Sequence, residues 1–438
     1  MDDVDVLVVG AGILGVSSAY HILRANRDKK VMVVDRFGAP GQGNTGRSNA
    51  MFRNTFSSKD NQVLSDSSIG FYLNVQKNVK QDIGLEKIGY LWLMSESQLS
   101  ASERFLAGME RNGIETKRYG KRELSGALPG LRTDGGGNGQ SGLLGLPPVD
   151  WGVFGPKCGR LDPDKLVRLY AEEFTRLGGR LAFNVDVERL VAGPKNRLGI
   201  EGEPFAWQEW KIDRVELRGL GEKVIHPSSV VLACGAWGNE LLGSLGVDGH
   251  VKAKKRQLFS VSVKQRSGLD ALLTTRGFNP LDLPPMTILP KAGVHFKPLR
   301  EEGAFWVGCE DEVNRPYIDL PERNLDGYSA EPDYYERGIK PVLTGYFPDF
   351  SDASLKAMWA GLYSYNTADY LPFAFRENNL IVVGGDSGSG IMKGDALGRI
   401  VAALYREEDE AVLWGDVAYR VSKLGFDNRE VEREEWVL

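Results

Sequence analysis

The chain has 438 residues, 42% of them hydrophobic and 26% charged, with a formal net charge of −5; that length predicts two domains rather than one core. The balance excludes the basic face that nucleic acid requires, so no nucleic-acid partner is expected, and no apolar run reaches the ~18 residues of a membrane span. Three cysteines (Cys158, Cys234, Cys309) and four histidines (His21, His226, His250, His295) lie too far apart in sequence for a disulfide framework or a metal site, so the cysteines are expected as buried apolar residues and no metal is expected.

The chain opens on Met1-Asp2-Asp3-Val4-Asp5, without the positive start and apolar run of a signal peptide. A cytoplasmic protein is expected, and peripheral contact at the inner face of a membrane is compatible with that. Val4 to Val9 is an apolar run suited to a parallel strand buried on both faces. It ends in Gly10-Ala11-Gly12-Ile13-Leu14-Gly15, a helical stretch follows over Val16 to Arg24, and a second strand, Val31 to Val34, runs into Asp35 and Arg36. Each glycine has its own reason. Gly10 permits a tight turn, Gly12 lets backbone approach a pyrophosphate, and Gly15 lets the helix pack closely on the strand. The helix start offers N–H groups to phosphate oxygens, and Asp35, 20 residues after Gly15, is placed to accept bonds from ribose hydroxyls. Strand, glycines, helix, strand and acid in this order predict a dinucleotide site.

The same fingerprint serves FAD or NAD, and later segments decide. An NAD enzyme would move straight into another βα unit; here Gly41 to Arg53 intervenes, a loop rich in small and hydroxyl residues. Its members Thr45, Gly46, Arg47, Ser48, Asn49, Ala50 and Met51 can wrap a phosphate and approach a flat ring. Leu161-Asp162-Pro163 opens a helix over Asp164 to Leu177, Gly178-Gly179 stops it, and a strand over Leu181 to Val187 follows. Val191 to Pro227 reads as a long hairpin elaboration. A buried strand from Val230 passes Ala233 and Gly235 to Trp237. From Val251 to Val313 the pattern alternates as in a half-exposed antiparallel sheet, over Gln257 to Val263, Gly293 to Pro298 and Ala304 to Cys309. Near the end, Leu380 to Val383 leads into Gly384-Gly385-Asp386-Ser387-Gly388-Ser389-Gly390-Ile391-Met392-Lys393, and a helix follows over Asp395 to Tyr405.

These pieces, with Trp359-Ala360-Gly361-Leu362 through Thr367-Ala368-Asp369, resemble the D-amino-acid-oxidase-like superfamily of FAD enzymes. That group includes glycine oxidase, sarcosine oxidase and D-amino-acid dehydrogenase; the overall pattern looks most like the dye-linked L-proline dehydrogenases of archaea. The resemblance implies an α/β fold: a Rossmann-type FAD domain from residues 1–90, 151–245 and 350–438, with an inserted α+β substrate domain, holding a large mixed or antiparallel sheet, from 91–150 and 246–349. It implies hydride transfer from a small amino or imino acid to the flavin, with electrons passed to a quinone, dye or redox protein.

Taking hydride from carbon beside an amine requires a neutral amine, an anchored carboxylate and a carbon about 3–3.5 Å from flavin N5. Arg is the residue whose planar fork suits a carboxylate, and the resemblance makes Arg53 the first candidate; a surface pairing with Asp60 is the plainer alternative. Relatives carry an Arg where Tyr363 stands, so Tyr363 and Tyr365 become candidates for a hydroxyl and an apolar wall. A family lysine after the last Gly loop aligns with Met392, one residue before Lys393, which is the further candidate for anchoring substrate, with a place near the flavin edge or no role as the alternatives. Relatives that tether FAD do so through a Cys where Leu362 stands, and with no other cysteine expected nearby the FAD is expected to be non-covalent. Trp306 aligns with a lysine over the flavin in oxidases, and the missing cation favours a dehydrogenase over an oxygen-using oxidase. An oxidase of glycine, sarcosine or a D-amino acid, a 2-hydroxy-acid or glycerol-3-phosphate dehydrogenase, and a non-catalytic ligand sensor are the other readings.

Overall fold

The apolar runs become the strands of a six-stranded sheet. The computed structural model describes residues 4–135, 140–219, 223–264, 268–310, 316–318, 329–427 and 429–436. The sheet order is Phe373–Glu377, Leu380–Gly384, Ser229–Leu232, Val6–Val9, Val31–Asp35 and Arg180–Phe183. Every pairing is parallel except that of the edge strand Phe373–Glu377. All four residues of Val6–Val9 are buried, as sheet faces covered by other elements demand.

Helices Ile13–Ala25, Pro163–Arg176 and Gly394–Tyr405 share one hydrophobic cluster with one face of this sheet. Close approach explains Gly15: a Cβ there would lie 1.8 Å from the Gly10 carbonyl oxygen. Asp162 caps the second helix, accepting from the N–H groups of Asp164 and Lys165. A buried carboxylate pins the three together. Asp395 accepts from Tyr170 Oη (2.9 Å) and Arg399 Nε (2.6 Å), and His21 Nε2 lies 2.8 Å away. The expected hairpin elaboration is a three-stranded antiparallel sheet, Asp186–Pro194, Trp210–Arg218 and Lys223–Ile225, packed with the other face of the parallel sheet.

The alternating region forms an eight-stranded sheet. Its order is Ser354–Asn366, Val251–Ser262, Ala304–Gly308, His295–Leu299, Met286–Ile288, Tyr90–Met94, Trp151–Gly155 and Lys117–Gly120. The pairing of Met286–Ile288 with Tyr90–Met94 is parallel and the others are antiparallel. The expected division puts 151–245 and 350–438 with the nucleotide body, yet Trp151–Gly155 and Ser354–Asn366 hydrogen-bond into this second sheet. The long strand Ser354–Asn366 pairs with Val251–Ser262 along its whole length, and that pairing carries the chain across before it returns.

The C-terminal segment is strapped across both bodies. Trp436 is 7% exposed and packs edge-on against Trp92 and Phe105, at 5.6 and 6.1 Å between ring centres. Arg429 pairs with Asp369. Among the described residues, no helix is long and apolar enough to cross a membrane.

Candidate active site

One continuous cavity of about 280 Å³ runs from the carboxyl ends of the parallel strands to the inner face of the second sheet. Its first half is built largely from backbone. The helix Ile13–Ala25 begins at Gly12, which has no side chain of its own to cap it, and Gly10, Gly12, Ile13 and Leu14 line the cavity there. The N–H groups of the first turn and the helix dipole make this an anion seat. Thr45 Oγ1 accepts the Ile13 N–H (3.1 Å), which ties the following loop to the helix start. The Asp35 carboxylate is fixed by the N–H groups of Ala11 (2.6 Å) and Phe37 (2.9 Å), and burial raises its pKa. Arg36 lies over the Trp237 ring at 5.0 Å, and Val187, Ala233, Gly235 and Cys234 complete this end.

The middle is walled by Arg47, Ser48, Asn49, Ala50 and Met51 on one side and Gly361 and Leu362 on the other. The Trp-Ala-Gly-Leu stretch holds that loop in place. Trp359 Nε1 donates to the Arg47 carbonyl (3.0 Å), Leu362 N–H to Asn44 Oδ1 (2.8 Å), and Arg47 Nη1 to the Ala360 carbonyl (3.2 Å). The final Gly loop brings Asp386, Gly388, Ser389, Gly390, Ile391 and Met392 to the same wall. A Cβ on Gly388 would lie 2.2 Å from the Tyr363 ring, and one on Gly390 2.4 Å from Asp386 Oδ2, so this loop tolerates no side chain at either position.

The far end brings together charged side chains from separate parts of the chain. Arg53 lines it, but its fork is occupied: Nη1 donates to the Thr55 carbonyl (2.6 Å) and Nη2 to that of Trp436 (2.8 Å), while the group lies 4.2 Å from the Phe56 ring centre. The pairing with Asp60 does not occur; Asp60 accepts from Tyr419 and Lys423. Tyr363 lines the cavity, whereas Tyr365 stands behind it and accepts from Arg256 Nη2 (2.6 Å). Lys393 is also behind the wall. It is fully buried, donates to Ser389 Oγ (2.5 Å), and burial pushes its pKa down to about 7. Gly15, Gly46 and Gly385 likewise do not line the cavity; at each a Cβ would crowd its own surroundings, at 1.8, 2.8 and 2.7 Å respectively.

Sequence reasoning missed Arg256, His295, Glu310 and Glu434, all of which line the cavity. No motif marks them, because they come from separate strands and from the tail. The Glu434 carboxylate accepts from Ser57 N–H (2.8 Å), Ser57 Oγ (2.7 Å), Ser58 N–H (3.2 Å), Asn61 Nδ2 (2.9 Å) and Trp436 N–H (3.0 Å).

Two expectations are corrected. Cysteines do lie near the site: Cys234 and Cys309 both line the cavity, brought there by strand ends that sequence separation hides. Nor is Trp306 without a cation beside it, though that cation stands behind the cavity wall and not on it. Lys297 pairs with Trp306 in register, its Nζ 4.0 Å from the ring centre, and it donates to the Asn49 carbonyl (2.5 Å); burial lowers its pKa to about 7.

A glycine-opened helix start at the edge of a parallel sheet, leading into a cavity that a second sheet walls off, defines a dinucleotide-binding protein with a separate reactive chamber. A family model described as FAD dependent oxidoreductase (DAO) matches residues 5–404, and the chain belongs to that family. It is 25% identical over 424 residues to FAD-dependent oxidoreductase domain-containing protein 1 of Xenopus laevis, covering 91% of this chain and 78% of that one. In fold it is similar to L-proline dehydrogenase from P. horikoshii (TM-score 0.73, 20% identity, 96% of each chain). Glycine oxidase from Geobacillus kaustophilus is also similar (TM-score 0.68, 18% identity, 93% of this chain and 96% of that one).

The residues present fit FAD. The anion seat suits a diphosphate, Asp35 and the Arg36–Trp237 stack suit an adenosine, and the loop at Gly388 and Gly390, with room for a Cβ at neither, lets backbone approach a flat ring. Two buried polar atoms on the cavity wall, Asn49 Oδ1 and Trp237 Nε1, lack a partner among the described residues, as groups do that await one.

Proposed function

We propose that this protein oxidises a small amino or imino acid at the far end of the cavity, with L-proline as the first substrate to test. The observation that carries the reading is the wall itself: a guanidinium, Arg256, and an aromatic hydroxyl, Tyr363, face the chamber from adjacent strands, as recognition of a small carboxylate requires. Bound FAD would supply the two-electron sink for the C–H bond beside nitrogen. The protein's own residues do the rest. Glu434 and the Trp436 carbonyl hold the Phe56–Arg53 corner rigid, Arg53 adds positive field, and Lys393 fixes the Gly loop through Ser389. Burial and the strap keep bulk water from the chamber. With Leu362 at the tethering position and the Cys234 thiol pushed up by burial to about 12, non-covalent FAD is the natural form, and acid precipitation should release it to the supernatant.

Transfer to a quinone, dye or redox protein is the acceptor chemistry proposed, supported by fold likeness to a proline dehydrogenase. A second reading, an oxygen-using oxidase, gains from Lys297, a buried cation one residue behind the cavity wall. Substrate-dependent oxygen uptake, measured with and without an artificial acceptor, separates them: fast turnover only with the acceptor supports the dehydrogenase, and peroxide formed at the same rate without it supports the oxidase.

A further inference from the structure

The chamber end carries both signs of charge on neighbouring strands. Arg256 projects from Val251–Ser262, and Glu310 follows Ala304–Gly308, its antiparallel neighbour, in which Gly308 pairs with Leu258. Both side chains line the cavity. The Arg256 guanidinium lies 5.5 and 5.6 Å from the ring centres of Tyr363 and Tyr365, and Nη2 donates to Tyr365 Oη, so its plane is held from behind. Arg53 spends its fork on two backbone carbonyls.

Resting on the amino-acid reading above, we propose that Arg256 and Glu310 form a clamp for a zwitterion: Arg256 receives the substrate carboxylate, and Glu310 receives the ammonium and takes its proton. In that step one ammonium N–H bond breaks, one Glu310 O–H bond forms, and nitrogen keeps the electron pair. The neutral amine that oxidation needs is thereby made inside the chamber. Charge chemistry favours this division. A carboxylate beside a guanidinium is the arrangement that matches both ends of an amino acid at once, and a plain carboxylic or hydroxy acid has no use for the acid half. Glu310 is suited to the proton step because burial pushes its carboxyl up to about 7, against the pull of Arg256, Arg53 and Lys254. His295, the neighbour on the next strand, is not a competing base donor of charge: burial drops it to about 4, and its Nδ1 lies 2.9 Å from the Gly293 carbonyl.

The plain rival is that Glu310 only balances Arg256. Three ligands on the FAD-loaded protein distinguish the two: L-proline, tetrahydrofuran-2-carboxylate (carboxylate without amine) and pyrrolidine (amine without carboxylate). Binding is read from the change in flavin absorbance and turnover from anaerobic bleaching, with FAD content and melting temperature recorded for each variant. Arg256→Met should weaken both acids by about tenfold to thousandfold and leave pyrrolidine little changed, with Arg256→Lys between. Glu310→Gln should weaken L-proline by about tenfold or more while tetrahydrofuran-2-carboxylate binds as well or better. Equal loss of both acids in Glu310→Gln overturns the clamp in favour of charge balance, and equal loss of all three ligands in Arg256→Lys overturns the role of Arg256. If wild type responds to neither L-proline, sarcosine nor glycine, the amino-acid reading fails and the clamp with it; a response to those that the variants leave untouched sinks the clamp alone.

Discussion

The two sheets build their shares of the cavity by different means. The parallel sheet contributes backbone: N–H groups at the start of Ile13–Ala25, glycines that make room, and one acid, Asp35, locked by two N–H groups. The eight-stranded sheet contributes side chains, with Arg256, His295 and Tyr363 on its strands and Glu310 just beyond the end of one. Backbone binding demands a local sequence pattern, because turn, helix start and strand end are contiguous. Side-chain binding demands only strand register, which joins residues far apart in the chain.

The sharpest way to break this comparison is a pair of glycine variants in the first region. Gly15→Val should prevent folding, since even a Cβ there sits 1.8 Å from the Gly10 carbonyl oxygen. Gly12→Val should fold, because a Cβ there meets only Thr45 Oγ1 at 3.2 Å, yet lose FAD by filling the anion seat. Circular dichroism and the ratio of flavin to protein absorbance read both; flavin retained by folded Gly12→Val would show that the seat is elsewhere.

Next in size is the strap that joins the regions. Glu434→Ala leaves the half-buried donors of Ser57 and the buried ones of Ser58 and Asn61 without their acceptor, and should cost about 2–4 kcal/mol, seen as a clear fall in melting temperature. An unchanged melting temperature would mean the tail only rests on the surface.

The buried lysine of the second sheet gives a pH signature. Lys297 titrates near 7 in the folded chain but near 10.4 when unfolded, so between those values the unfolded chain binds the extra proton. Folded stability should therefore rise with pH across that window and carry its full penalty below about 7. Relative to Lys297→Met, the wild type should gain up to a few kcal/mol, at about 1.4 kcal/mol per pKa unit; parallel melting curves from pH 7 to 10 would contradict burial of the amine.

The smallest effect concerns Arg53. Arg53→Met orphans two carbonyls and should cost about 1–3 kcal/mol, while slowing L-proline and pyrrolidine by the same factor. Selective loss of L-proline would return the carboxylate role to Arg53.

The sequence made the nucleotide half readable down to single residues. The Gly10–Gly15 turn, Asp35 and the Gly384–Ile391 loop all reach the structure as strand-end elements, and helix Pro163–Arg176 falls within one residue of its expected span. The chamber was read only where a family motif reached it, at Arg53 and Tyr363. Arg256 and Glu310 lay unseen because the pairings that unite them, Arg256 with Gly361 and Leu258 with Gly308, leave no short-range trace. Trp306 shows the same limit from the other side: alignment along the chain found the tryptophan, and the cation it seemed to lack stood one strand over. Even the tail hid its role, since Glu434 reads as one charge among many until its five donors are seen.

The central claim is oxidation of a small amino or imino acid by the bound flavin. Anaerobic addition of L-proline, sarcosine, glycine, D-amino acids and 2-hydroxy acids to the purified yellow protein tests it directly. The account predicts rapid bleaching of the flavin band by at least one amino or imino acid and none by 2-hydroxy acids. Bleaching by a 2-hydroxy acid alone, or by nothing in the set, would contradict it.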